Sequence, residues 1–135
     1  MAQNVDPSRL GEFAQYDVQD MGVVEQLLSL DDGAFGLLEE MLALYKEDTP
    51  DRIKALEATL ASNDLNDMAD VAHAIKGAAS TMGASRVRAI AAALEGAGRQ
   101  GKWEHEPQTL LSLLKETFVE STVALDSYIA ENKQD

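Results

Sequence analysis

Apolar residues recur at intervals of three and four through most of this chain, and that rhythm leaves little choice of fold. Leu38, Met41, Leu42 and Tyr45 stand at i, i+3, i+4 and i+7, and the stripe resumes at Ile53, Leu56 and Leu60. A helix of 3.6 residues per turn puts such positions on one face. No strong run of apolar–polar alternation and no Asn-Gly hairpin signal competes with it.

The pattern divides into segments. Residues 1–15 are weakly patterned and are expected to be irregular or frayed. A short helix is predicted over Val18 to Leu30, apolar at Val23, Val24, Leu27 and Leu28, before a turn at Asp31, Asp32 and Gly33. One helix kinked at Pro50 is predicted from Ala34 to Ser62, because the stripes on either side of the proline are nearly in phase. Asn63 and Asp64 then serve as loop and cap. The next helix carries Met68, Ala72, Ile75, Ala79 and Met82 and stops at Gly83, with Ser85 placed to cap its successor. That successor shows Val87, Ile90, Ala91 and Leu94 and fades at glycines 96, 98 and 101. A last helix runs from Pro107 to Asn132 through Leu111, Leu114, Phe118, Leu125 and Ile129. The expected architecture is an all-α, antiparallel four-helix bundle with a short additional N-terminal helix, as one domain over 1–135.

Composition narrows the function. The net charge of −13 makes nucleic acid a poor partner, since phosphate contacts need clustered cations. Without cysteine there is no disulfide or zinc–thiolate site. Every apolar run is far shorter than the ~20 residues that span a bilayer. The opening residues, MAQNVDPSRL, lack a basic start followed by an apolar stretch. A cytoplasmic protein with no membrane association is expected.

"VAHAIKGAAS", from Val71 to Ser80, concentrates the chemistry. With Ile75 at the centre of the buried face, Met68, Ala72, Ala79 and Met82 lie within about 60° of it. His73 falls about 160° away, with Gly77 and Ser80 beside it and Lys76 at about 100°. The phase therefore disfavours a core histidine. An isolated helix surface would make His73 an ordinary exposed residue, but its neighbours argue otherwise. Ala69, Ala72 and Gly77 are expected to leave a low, open surface that another protein can approach. Lys76 is one turn away, and its ammonium suits a phosphate. Neutral imidazole is a competent nucleophile near pH 7. The set fits a phosphorylatable histidine.

"AHAIKGAASTMGASRV…ALE" resembles the signature of the histidine-containing phosphotransfer (HPt) family, with matches at His73, Lys76, Gly77 and Gly83. Upstream, "LLEEMLALYKEDTPDRIKALEATLASND" is similar to the family's second helix, proline included. The resemblance implies a phosphate-accepting histidine and an orienting group twenty-two residues later, where Glu95 stands. An acceptor on Nδ1–H would fix the tautomer that leaves Nε2 free to attack phosphorus. The resemblance also puts Arg99 where some members carry a basic residue near the phosphate, and Ser80, at a position where the family accepts small residues, is read as a further neighbour of the phosphate. Otherwise Glu95 would be a solvent-facing helix residue.

Two other features carry less. His105, in "GKWEHEP", reads as a surface loop histidine, and no carboxylate–histidine spacing supports a metal site. "GAGRQGKW" matches G-x-G-x-x-G, but that motif needs a preceding strand, and a helical stripe stands there. No ATP site is expected, so the chain should not be a kinase or other enzyme by itself.

The implied partners are response-regulator receiver domains and a histidine kinase, simple or hybrid, with Mg²⁺ supplied by the receiver and no cofactor or metal held by this chain. An apolar docking rim is expected from Val23, Leu27, Leu30 and Phe35, with Ala69 near the histidine. Nothing demands more than a monomer. The expected function is phosphoryl relay between receiver aspartates. The alternatives are a phosphoacceptor served directly by a chemotaxis-type kinase, an adaptor without phosphate chemistry, and an unrelated helical-bundle enzyme or metal protein.

Overall fold

A computed structural model describes residues 5–133 as helices joined by short turns, with no strand among the described residues. The elements are α1 (Pro7–Leu10), a 3-10 turn (Gly11–Gln15), α2 (Met21–Leu30), α3 (Gly36–Ser62), α4 (Leu65–Met82), α5 (Ser85–Gln100) and α6 (Pro107–Asn132). Helices α3 to α6 form the expected bundle around Leu38, Leu56, Ile75, Ile90, Leu94, Leu114 and Leu125, all buried.

The α3–α6 seam is antiparallel. Glu39 pairs with Lys133 at 2.9 Å, Lys46 with Asp126 at 2.6 Å and Glu57 with Lys115 at 3.1 Å. One helix gains seven and then eleven residues while the other loses as many. These exposed pairs add little stability, but they mark the register. Pro50 does not break α3, because Leu42, Tyr45, Thr49, Ile53 and Leu56 bury one continuous face across it.

The α4–α5 turn is the most constrained backbone. Gly83 has φ +75, and a Cβ there would fall 2.8 Å from Val23 Cβ. The segment before α2 is tied to this turn: Asp20 N–H donates to Gly83 O at 2.7 Å and Gln19 Nε2 to Met82 O at 2.7 Å. Arg86 N–H donates to Asp17 O at 2.9 Å. That carbonyl takes over the capping expected of Ser85, which instead opens α5 behind an Ala84 cap with no side-chain bond.

Three further expectations are corrected. Residues 5–15 are ordered rather than irregular. Asp6 caps α1 by accepting from Ser8 N–H at 3.0 Å, and Val5, Leu10 and Phe13 are buried. Three widely spaced apolar residues give no helical period, but tertiary burial fixes them. Residues 1–4, the rest of that stretch, lie outside the described residues. Helix α5 does not fade at Gly96 or Gly98 but runs on to Gln100, and Gly101 at φ +67 ends it. Gly98 is a packing residue: a Cβ would lie 2.7 Å from Leu65 O and 2.9 Å from Ala69 Cβ. Ala69 is accordingly 0% exposed and cannot line an open surface.

Candidate functional site

The outward seam of α4 and α5 carries three polar rungs. Arg88 Nε donates to Ser80 Oγ at 2.9 Å, His73 Nδ1 meets Glu95 Oε2 at 2.9 Å, and Arg99 NH1 meets Asp70 Oδ1 at 3.0 Å. Descending α4 from Ser80 to His73 to Asp70 climbs α5 from Arg88 to Glu95 to Arg99. Steps of seven and then three or four residues return each helix to the same face. The rungs therefore follow from an antiparallel register set by the apolar residues beneath.

His73 occupies the middle rung and is 64% exposed, whereas the Glu95 side chain is only 15% exposed. One Glu95 oxygen takes the ring; the other, Oε1, holds Lys76 Nζ at 2.6 Å. Arg99 NH2 stands 3.9 Å from Oε2. The bond from Lys76 holds the Glu95 carboxyl below the usual carboxylate range, opposed by partial burial and reinforced by the bond from His73. An ionised acceptor on Nδ1 selects the Nδ1–H tautomer, so the Nε2 lone pair faces solvent. Nε2 has no hydrogen-bond partner among the described residues.

Gly77 leaves the flank open: an added Cβ would meet nothing within 4 Å. Thr81 Oγ donates back to Gly77 O at 3.1 Å. Beside it, α3 and α4 frame a shallow depression of about 160 Å³ lined by Met41, Leu44, Asp48, Arg52, Ala78 and Thr81. Leu44 is among the exposed large hydrophobics there. The sequence signal was a leucine lying outside the stripe of Leu38, Met41, Leu42 and Tyr45.

The predicted residues are thus only partly gathered. His73, Lys76, Glu95 and Arg99 meet at the seam, with Gly77 and Ser80 on the same face. Lys76 is engaged by Glu95, and Arg99 by Asp70. Asp70 and Arg88 were missed; counting outward from a 73–95 pair along antiparallel helices would have found both. The docking rim is corrected at Leu27, which is buried in the core. Phe35 packs on Tyr128 with ring centroids 6.2 Å apart, and Val23 is half-buried. Leu30 alone of the four is freely exposed, at 77%. His105 is only partly exposed: Nε2 meets Glu12 Oε1 at 2.5 Å and its ring packs on Phe13. Among the described residues, no three His, Asp or Glu side chains converge to hold a metal, and no helix is long and apolar enough to cross a membrane.

Comparison with known proteins bears on this geometry. No curated protein matches the sequence. The fold is similar to the crystal structure of histidine-containing phosphotransfer protein B (HptB) from Pseudomonas aeruginosa PAO1, at TM-score 0.75 and 21% identity, over 86% of this chain and 97% of that one. A family model, the Hpt domain, matches residues 40–131. The matched stretch takes in α4, α5 and every rung between them, and by that match the chain belongs to the Hpt domain family.

Proposed function

We propose that this protein is a phosphocarrier, accepting a phosphoryl group on His73 and relaying it between receiver aspartates of a two-component pathway. The single observation behind the reading is the state of one exposed ring: Nδ1 is held by Glu95 at 2.9 Å and Nε2 is open. In the forward step the Nε2 lone pair forms the N–P bond. The O–P bond of the partner's aspartyl phosphate breaks, and its electron pair leaves with the carboxylate. The proton on Nδ1 stays in its bond to Glu95, so the positive charge developing on the ring faces an anion. Transfer onward reverses the step.

Lys76 steadies the phosphoryl oxygens by turning one of its three donors from Glu95 toward them. Gly77 gives the partner clearance. The partner receiver contributes Mg²⁺, which screens the transferring charge. The bundle itself holds the ring still, so rate depends on positioning in the complex. A histidine kinase stands upstream, and the carrier has no ATP site of its own. We place the protein in the cytoplasm as a monomer.

Purified protein incubated with phosphorylated receivers from its own genome should acquire acid-labile label, and His73→Gln should lose it. Label that survives His73→Gln overturns the mechanism. Labelling by a kinase directly, with none from any receiver, assigns the chain to the direct-kinase alternative.

A further inference from the structure

Asp70 lies on the histidine seam, yet phosphoryl transfer makes no demand for an acid there. It sits one turn before His73 on α4 and holds Arg99 NH1 at 3.0 Å. The other guanidinium nitrogen, NH2, stands 3.9 Å from Glu95 Oε2, the oxygen that takes His73 Nδ1 at 2.9 Å. A separation of 3.9 Å is an ion pair without a hydrogen bond. We infer that Asp70 is a positioning residue, which holds Arg99 back from Glu95 and so reserves Oε2 for the imidazole.

The reasoning is competitive. Glu95 has two oxygens and three suitors: Lys76 on Oε1, and His73 and Arg99 around Oε2. Arginine is always charged and prefers to meet a carboxylate with two parallel donors. Arg99 and Glu95 stand at i and i+4 on α5, a spacing that favours closure. Freed from Asp70, the guanidinium needs to move only about 1 Å to reach hydrogen-bond range. His73 Nδ1–H would then share its acceptor with a cation, and the tautomer with Nε2 open would lose its advantage. The remaining charged groups near α4's outer face, Arg88 beyond Ser80 and Asp48 and Arg52 on α3 beside Ala78 and Thr81, do not contact Glu95. Once released from Asp70, Arg99 is therefore the cation placed to compete for Oε2.

The consequence for transfer rests on the phosphocarrier reading, but the test need not. Imidazole ¹⁵N shifts of the unphosphorylated protein report the ratio of Nδ1–H to Nε2–H tautomers at His73, with His73→Gln identifying the signals. Asp70→Asn should lower that ratio by roughly two- to fivefold, the range an exposed charged pair carries. Arg99→Gln in the Asp70→Asn background should restore it, while Arg99→Gln alone should change it little. That non-additivity supports the assignment, because simple loss of a nearby charge acts additively. An unchanged ratio in Asp70→Asn, or an equal effect of Arg99→Gln in both backgrounds, overturns it. A protein that shows the coupling yet takes no label keeps Asp70's role and loses the phosphocarrier reading.

Discussion

At the scale of single residues, Glu95 does two jobs with two oxygens, and its ionisation ties the site to stability. A carboxyl whose pKa is lowered by folding contributes stability that is complete above its unfolded value. That contribution disappears as pH falls through the lower folded value. For Glu95 the unfolded value is near 4.5. Glu95→Gln should therefore be less stable than the wild type at neutral pH. The gap should close as pH drops from about 4.5 toward the lowered folded pKa, read from urea midpoints at successive pH values. A gap that stays constant with pH would mean the carboxylate's charge contributes nothing. His73 and Lys76 were legible in the sequence because each has chemistry of its own and a spacing that reports a helix face, whereas Glu95, on another helix, was reached only through the family resemblance. Asp70 and Arg88 were not, since a surface acid or cation means nothing until the register of two helices is known.

At the scale of elements, the two glycines of the seam have opposite duties. Gly77 lies mid-helix with open space around it, so Gly77→Ala should stabilise the free protein by about 0.5–1 kcal/mol. The same methyl should slow transfer from a receiver, because it intrudes on the approach path. Gly98→Ala would press on Leu65 O and Ala69 Cβ and should cost about 1–3 kcal/mol. Thermal unfolding of both variants checks the contrast; equal shifts would refute it. The helices α2 to α6, the passage through Pro50 and the stop at Gly83 could all be read from apolar spacing and turn residues. The persistence of α5 past Gly96 could not, because propensity is a weak prior that close packing overrides. The N-terminal turn escaped for the same reason: Leu10 and Phe13 find their partners only in the assembled core.

At the scale of the whole molecule, α2 divides between a buried and an exposed side, and on the proposed function the exposed side is the one a receiver meets. Leu27 is buried and Leu30 is not, although the sequence presents them as equivalent leucines one turn apart. Leu27→Ala should lose roughly 2–5 kcal/mol of stability. Leu30→Ala should stay within about 0.5 kcal/mol of wild type while weakening receiver binding. Calorimetry and a binding titration separate the two, and melting of Leu30→Ala would remove it from the rim. The apolar stripe could place α2 but could not say which of its leucines the bundle would cover, since that depends on how the segment before α2 is tied to the Gly83 turn. Gly98 shows how far such settings reach. It touches neither the imidazole nor any approaching protein, yet it fixes how near α5 lies to α4. It is the gauge block of the site: with the gap opened by a methyl's width, the glutamate would fall short of the ring. Reactivity at the surface would then have been altered from within, with every reacting group still in the chain.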